Sequence, residues 1–156
     1  MKTEDKTGQF NRRTLLAGSI GCMVASLLPI RAFAEPEDMQ AAVQEMFGDR
    51  PIVPGGVDLD IPPIAENGYS VPLTIDVDSP MTEDNHVRRI AVFSPRNPIA
   101  NLIQFSLGPR AGLARVSTRI RLAGTQEILV VAEMSDGTLR SASARTLVTI
   151  AACIIG

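Results

Sequence analysis

Residues 69–77 read Tyr69-Ser70-Val71-Pro72-Leu73-Thr74-Ile75-Asp76-Val77. Tyr69, Val71, Leu73, Ile75 and Val77 occupy every second position, with small or polar residues between them. A period of two puts one side chain set on each face of an extended chain, so this is a strand with one buried face. Pro72 cannot donate a ladder hydrogen bond, which assigns it to an edge position or a bulge. The same period recurs on both sides. Upstream, Val57, Leu59 and Ile61 alternate with Asp58 and Asp60. Downstream, residues 87–94 and 102–107 read as a third and fourth strand. Ala114, Val116, Thr118, Ile120 and Leu122 then alternate with Arg115, Ser117, Arg119 and Arg121. Residues 127–134 are apolar on both faces and are read as a central strand, Ser135-Asp136-Gly137-Thr138 as a hairpin turn, and residues 139–150 as the returning strand or strands. About seven short strands separated by turn signals predict a mainly β protein, a β-sandwich. Trp is absent and no cysteine pair spans the strands, so an antibody-type domain is not expected.

Ahead of the strands the period changes. Met39, Val43, Met46 and Phe47 fall at helical spacing, Glu37 and Asp38 complement the helix dipole, and Gly48 is placed to end the helix. This stripe needs a surface, either its own sandwich or a companion protein. Residues 35–56 are thus read as a short N-terminal helix and a linker, with Pro51 to Gly56 as loop and the sandwich spanning 57–150. The double-sided apolar strand 127–134 suits a sheet covered on one side by another protein.

The first 34 residues are expected to be an export signal. Asn11-Arg12-Arg13-Thr14 leads into an apolar run from Leu15 to Ile30, and Ala32-Phe33-Ala34 offers a signal-peptidase site. The arginine pair points to the twin-arginine (Tat) route, and the expected destination is the bacterial periplasm. An ordinary secretory signal is the alternative, and a lipoprotein anchor at Cys22 is disfavoured by Ser19. Residues 35–156 carry ten arginines, no lysine and fifteen carboxylates, a formal charge of −5. That balance favours neither nucleic acid nor an anionic membrane.

With Cys22 in the signal, Cys153 is the remaining thiol. It lies in the tail 151–156, Ala151-Ala152-Cys153-Ile154-Ile155-Gly156. An odd thiol in an exported protein implies an intermolecular bond or a reactive group. The bland alternative is a small apolar residue closing the last strand. Asp76, Asp78, Asp84 and His86 lie near one another but lack metal-ligand spacing, and no metal or cofactor is expected. A peroxide-reducing thiol enzyme would need an activating neighbour and a resolving cysteine, neither of which is evident.

The stretches Ile64-Ala65-Glu66-Asn67-Gly68, Val71-Pro72 and Val77-Asp78-Ser79-Pro80-Met81-Thr82-Glu83 resemble the SoxY family. So do Val116-Ser117-Thr118-Arg119-Ile120-Arg121-Leu122-Ala123 and Val131-Ala132-Glu133-Met134-Ser135-Asp136-Gly137. The resemblance implies an immunoglobulin-like sandwich paired with a SoxZ-type subunit. It also implies a periplasmic, non-catalytic carrier of thiosulfate-oxidation intermediates, with Cys153 as the covalent attachment point. The partners implied are a c-type cytochrome of the SoxAX type, a sulfate-releasing hydrolase of the SoxB type and, in some organisms, a sulfane dehydrogenase of the SoxCD type. Arg115, Arg119 and Arg121 are candidates to contact an acidic partner or an anionic sulfur group, against the plainer reading of a solvated face paired with carboxylates. The family typically ends in Gly-Gly-Cys-Gly-Gly. Here alanines and isoleucines flank the thiol, a stiffer and bulkier arm. The alternative implied is a divergent SoxY-like interaction module without sulfur transfer.

Overall fold

The computed structural model describes residues 36–152, a helix followed by two β-sheets. Helix α1 spans Pro36–Phe47. The strands are β1 (Ile52–Pro54), β2 (Val57–Asp60), β3 (Ile64–Asn67), β4 (Val71–Val77), β5 (Val87–Phe93), β6 (Asn101–Ser106), β7 (Arg115–Ile120), β8 (Gln126–Met134) and β9 (Leu139–Ile150). The larger sheet runs β1-β9-β8-β5-β6, with β3 also on β9, and the smaller runs β2-β4-β7. The described residues therefore hold nine strands, against the seven expected. β1 and β3 account for the difference. Both are short and Pro-flanked, and both pair in parallel with β9, far away in sequence. Neither is long enough to display a period, so only the distant partner makes them strands. Ile52–Pro54 lies within the stretch read as a loop.

The alternation in β4 does what its period dictates. Val71, Leu73, Ile75 and Val77 are buried between the sheets, at 0 to 2 % exposure. They pack with Ile90 and Val92 of β5 and with Ile128, Val130 and Ala132 of β8. Pro72 fits because of register. Val77 N donates to Ala114 O, so the alternate residues 75, 73 and 71 turn their amides toward β7. Pro72, paired with Arg119, turns its nitrogen the other way. On that side β2 has already ended, at the Asp60–Thr74 pair. The strand is central in order but an edge at Pro72.

The outer face of the larger sheet is covered by α1. Met39, Val43, Met46 and Phe47 lie on Ala91, Phe93, Val131 and Leu139. Phe47 meets Phe93 edge to face, with ring centroids 6.3 Å apart. Gly48, with φ +66°, ends the helix and donates its N–H to Gln44 O at 2.7 Å. The double-sided apolar character of β8 is therefore explained within the chain. Ile128, Val130 and Ala132 face the inter-sheet core, while Leu129 and Val131 face α1. This corrects the expectation that another protein covers that face.

Candidate functional site

β9 ends at Ile150, and the chain continues through Ala151 to Ala152, whose N–H donates to Leu122 O at 3.1 Å. Ala152 is 5 % exposed. Leu122 belongs to the crossover from β7 to β8, and its own N–H donates to Gly68 O at 2.9 Å. Gly68 N donates to Ile150 O at 2.8 Å. Three backbone segments thus meet at Gly68. A Cβ there would stand 2.4 Å from Leu122 O and 2.9 Å from Ala152 N, closer than a Cβ can approach backbone. The glycine is required by this close approach. Asn67 Oδ1 accepts Tyr69 N–H at 2.8 Å and sets the turn around it.

The crossover that receives Ala152 is itself braced. Asn97 Nδ2 donates to Arg121 O at 2.8 Å, and Asn97 Oδ1 accepts Ala123 N–H at 3.2 Å and Gln126 Nε2–H at 3.1 Å. Ser94 Oγ donates to Gln126 Oε1 at 2.5 Å. Ser94, Asn97 and Gln126 are all buried, so each of these bonds satisfies a group that water cannot reach. Thr125 Oγ1 accepts Val148 N–H at 3.0 Å, joining the crossover to β9 just before the tail. The chain is hydrogen-bonded to the sandwich as far as Ala152.

Cys153, the predicted attachment point, lies outside the described residues, as do Cys22 and the expected signal at residues 1–34. Of the three candidate arginines, Arg115 and Arg119 stand on the outer face of the smaller sheet. Arg115 Nε donates to Asp76 Oδ2 at 2.7 Å, and Arg119 Nε donates to Ser70 Oγ at 2.7 Å. Arg121 follows the end of β7, and its guanidinium makes no hydrogen bond or ion pair among the described residues. The structure separates the three: Arg115 is paired with a carboxylate, whereas Arg119 and Arg121 border a groove of about 380 Å³. That groove opens between β6 and β7, the free edges of the two sheets, and is lined by Pro98, Ile99, Leu102, Ile103 and Ile120. Sequence reading passed over it. The local register shift between Val92 and Phe93 breaks the alternation of β6, and both Leu102 and Ile103 pack against the inter-sheet core.

His86 and Asp76 are engaged by different partners. His86 Nδ1 lies 3.1 Å from both Thr82 O and Glu83 O, and Asp76 pairs with Arg115. Among the described residues no three His, Cys, Asp or Glu side chains gather to hold a metal ion.

Residues 43–153 match the family described as sulfur oxidation protein SoxY. The chain belongs to the SoxY family. The match ends on Cys153, so Ile154, Ile155 and Gly156 lie beyond it. Among solved structures, the chain is similar to the sulfur carrier protein SoxY from Chlorobium limicola f thiosulfatophilum. The two are 31 % identical with a TM-score of 0.62, over 73 % of this chain and 98 % of that one. It is also similar to a superoxide reductase (neelaredoxin) from Ignicoccus hospitalis, at 14 % identity and a TM-score of 0.54, over 75 % of this chain and 95 % of that one. That second likeness is one of fold alone, an immunoglobulin-like sandwich that SoxY members share with proteins of other activity. No curated protein matches the chain.

Proposed function

We propose that this protein is a covalent sulfur carrier, with Cys153 as the attachment point and no catalytic activity of its own. The observation that carries the reading is the SoxY match, which extends to the cysteine itself, together with the similarity to a sulfur carrier protein over nearly all of that protein's length. The geometry supports it physically. The chain is clamped to the sandwich as far as Ala152, and the thiol is the next residue. A reactive atom one residue beyond a hydrogen-bonded anchor stays at a high local concentration for each enzyme that must act on it. A thiolate is the nucleophile that forms sulfur–sulfur bonds.

The finer reading follows the family. The protein is exported by the Tat route to the periplasm and pairs there with a SoxZ-type subunit. A SoxAX-type cytochrome loads thiosulfate sulfur onto Cys153, a SoxB-type hydrolase releases sulfate, and a SoxCD-type enzyme oxidises the remaining sulfane sulfur. Incubation of the protein and its partner with thiosulfate and the cytochrome, followed by mass measurement of the C-terminal peptide, tests the reading. The expected result is a sulfur adduct on Cys153, and an unmodified thiol after turnover by an active system rejects it. The isoleucines after the cysteine favour a second reading, a SoxY-like interaction module without sulfur transfer. It predicts that Cys153→Ser leaves sulfur oxidation in cells intact.

A further inference from the structure

The edge strands of the two sheets differ in how they resist pairing. An edge presents unpaired backbone groups, and charges, prolines or shortness keep another chain off them. β1 and β3 are three and four residues long and follow Pro51 and Pro63. β2 carries Asp58 and Asp60, and β7 carries Arg115 and Arg119. β6, Asn101-Leu102-Ile103-Gln104-Phe105-Ser106, has six residues and neither a charge nor a proline. Its register shift against β5 falls at its start, opposite Val92 and Phe93, so residues 103–106 run regular. Leu107 N donates to Arg88 O, so residues 105 and 103 turn their amides toward β5, while Gln104 and Ser106 turn theirs outward. No described strand lies on that side.

The surroundings of this edge carry one sign of charge. Residues 86–126 hold seven of the ten arginines found after residue 34 and none of the fifteen carboxylates. Arg119 and Arg121 border the groove beside β6, and the Arg121 guanidinium makes no hydrogen bond or ion pair among the described residues. The groove is apolar where Ile99, Leu102, Ile103 and Ile120 line it, and Ile99 is 73 % exposed. We propose that the β6 edge takes up an extended segment of an acidic partner protein as a further strand. The segment bonds through its backbone to Gln104 and Ser106, its apolar side chains enter the groove at alternate positions, and a carboxylate on the same face meets Arg121. Charge complementarity selects this occupant. A second copy of the chain would bring an uncharged β6 and another set of arginines against the first. A nucleic acid would meet the arginines but leave the strand edge and the apolar lining unused. The edge can serve this role whether or not Cys153 carries sulfur.

The test is calorimetric titration of the full chain with the capped peptide acetyl-Glu-Thr-Val-Thr-Val-Thr-amide, which is expected to bind saturably at one site. Gln104→Pro removes an outward amide and leaves the ladder to β5 whole. It is expected to weaken binding about tenfold, the worth of one backbone hydrogen bond. Arg121→Glu, at an exposed position, keeps the test open should the proline variant fail to fold. It is expected to weaken this peptide and to prefer the version with lysine in place of glutamate. Absence of binding by the parent chain overturns the proposal, as does unchanged binding by either variant. Equal binding of the rearranged peptide acetyl-Thr-Thr-Thr-Val-Val-Glu-amide shows attraction by charge alone and overturns it too. Tighter binding of a single-stranded oligonucleotide assigns the basic surface to nucleic acid, and self-association abolished by Gln104→Pro assigns the edge to a second copy; either result overturns it. No step of the titration uses the thiol, so failure of Cys153 to load from thiosulfate sinks the carrier reading and leaves this one standing.

Discussion

The outer faces of the two sheets end in opposite states. On the larger sheet the outward residues of β5 and β8 are Ala91, Phe93, Leu129 and Val131, and α1 covers them. On the smaller sheet they are Thr74 and Asp76 of β4 with Arg115, Ser117 and Arg119 of β7, and no described element covers them. Each face also has an arginine–carboxylate pair. Arg50 Nη1 and Glu133 Oε1 are 2.8 Å apart, with the Glu133 side chain only 10 % exposed at the end of the helix, and Arg89 lies on its other oxygen at 3.6 Å. Arg115 and Asp76 pair in the open, at 60 % and 37 % exposure. One face therefore holds the fold together, while the other presents a polar ladder to solvent or a partner. The same bond types should differ in worth between them.

The largest effect expected is at Phe93, fully buried under α1. Phe93→Ala should lower unfolding free energy by about 3–5 kcal/mol, read from the urea midpoint. A loss under about 1 kcal/mol would mean that the helix does not seal this sheet in solution. Next is the junction that anchors the tail. Gly68→Ala should cost about 1–3 kcal/mol through forced backbone movement. It should also increase amide hydrogen exchange at Ala152, since its bond to Leu122 is the contact displaced. The two ion pairs then sharpen the contrast. Glu133→Gln should cost about 1–2 kcal/mol, because charged hydrogen bonds are lost where water is scarce. Asp76→Asn should cost under about 1 kcal/mol and vanish in high salt. Equal costs would erase the distinction between the faces. The smallest effect is at the β8–β9 hairpin. Asp136 Oδ1 accepts Thr138 N–H at 2.8 Å and Thr138 Oγ1–H at 2.7 Å. These bonds, the backbone one first, hold its carboxyl below the ordinary value of 3.8. The unfolded chain therefore binds the proton more readily than the folded one. The hairpin's contribution is present above pH 3.8 and lost as pH falls through the folded value. An NMR titration of the Asp136 carboxyl should find its midpoint below 3.8, and Thr138→Ala should move that midpoint up.

Much of this was legible in the residues. The alternation at Val71–Val77 announced a half-buried strand, and Ser135-Asp136-Gly137-Thr138 announced the turn of the last hairpin, because both signals are local and repeat with a fixed period. The helix stripe at Met39, Val43, Met46 and Phe47 was equally plain, but what it packs on was not. β1 and β3 were missed since their stability comes from β9, dozens of residues away. At the candidate site, the SoxY motifs and Cys153 stood in the sequence, whereas the groove did not. It arises only where β6 and β7, edges of different sheets, come to face each other.

The sequence by itself determined a chain of alternating strands behind an amphipathic helix, its family and the single thiol near the end. The strands and the helix follow from periodicity and local chemistry, which neighbouring residues decide among themselves, and the family follows from the resemblance of whole stretches of sequence. Only the tertiary structure decided which sheet the helix covers and that Gly68 binds three backbone segments into the root of the tail. It likewise split the three arginines between a paired surface and a groove. Each of these depends on which distant segments share a contact, and close packing, not sequence spacing, selects that.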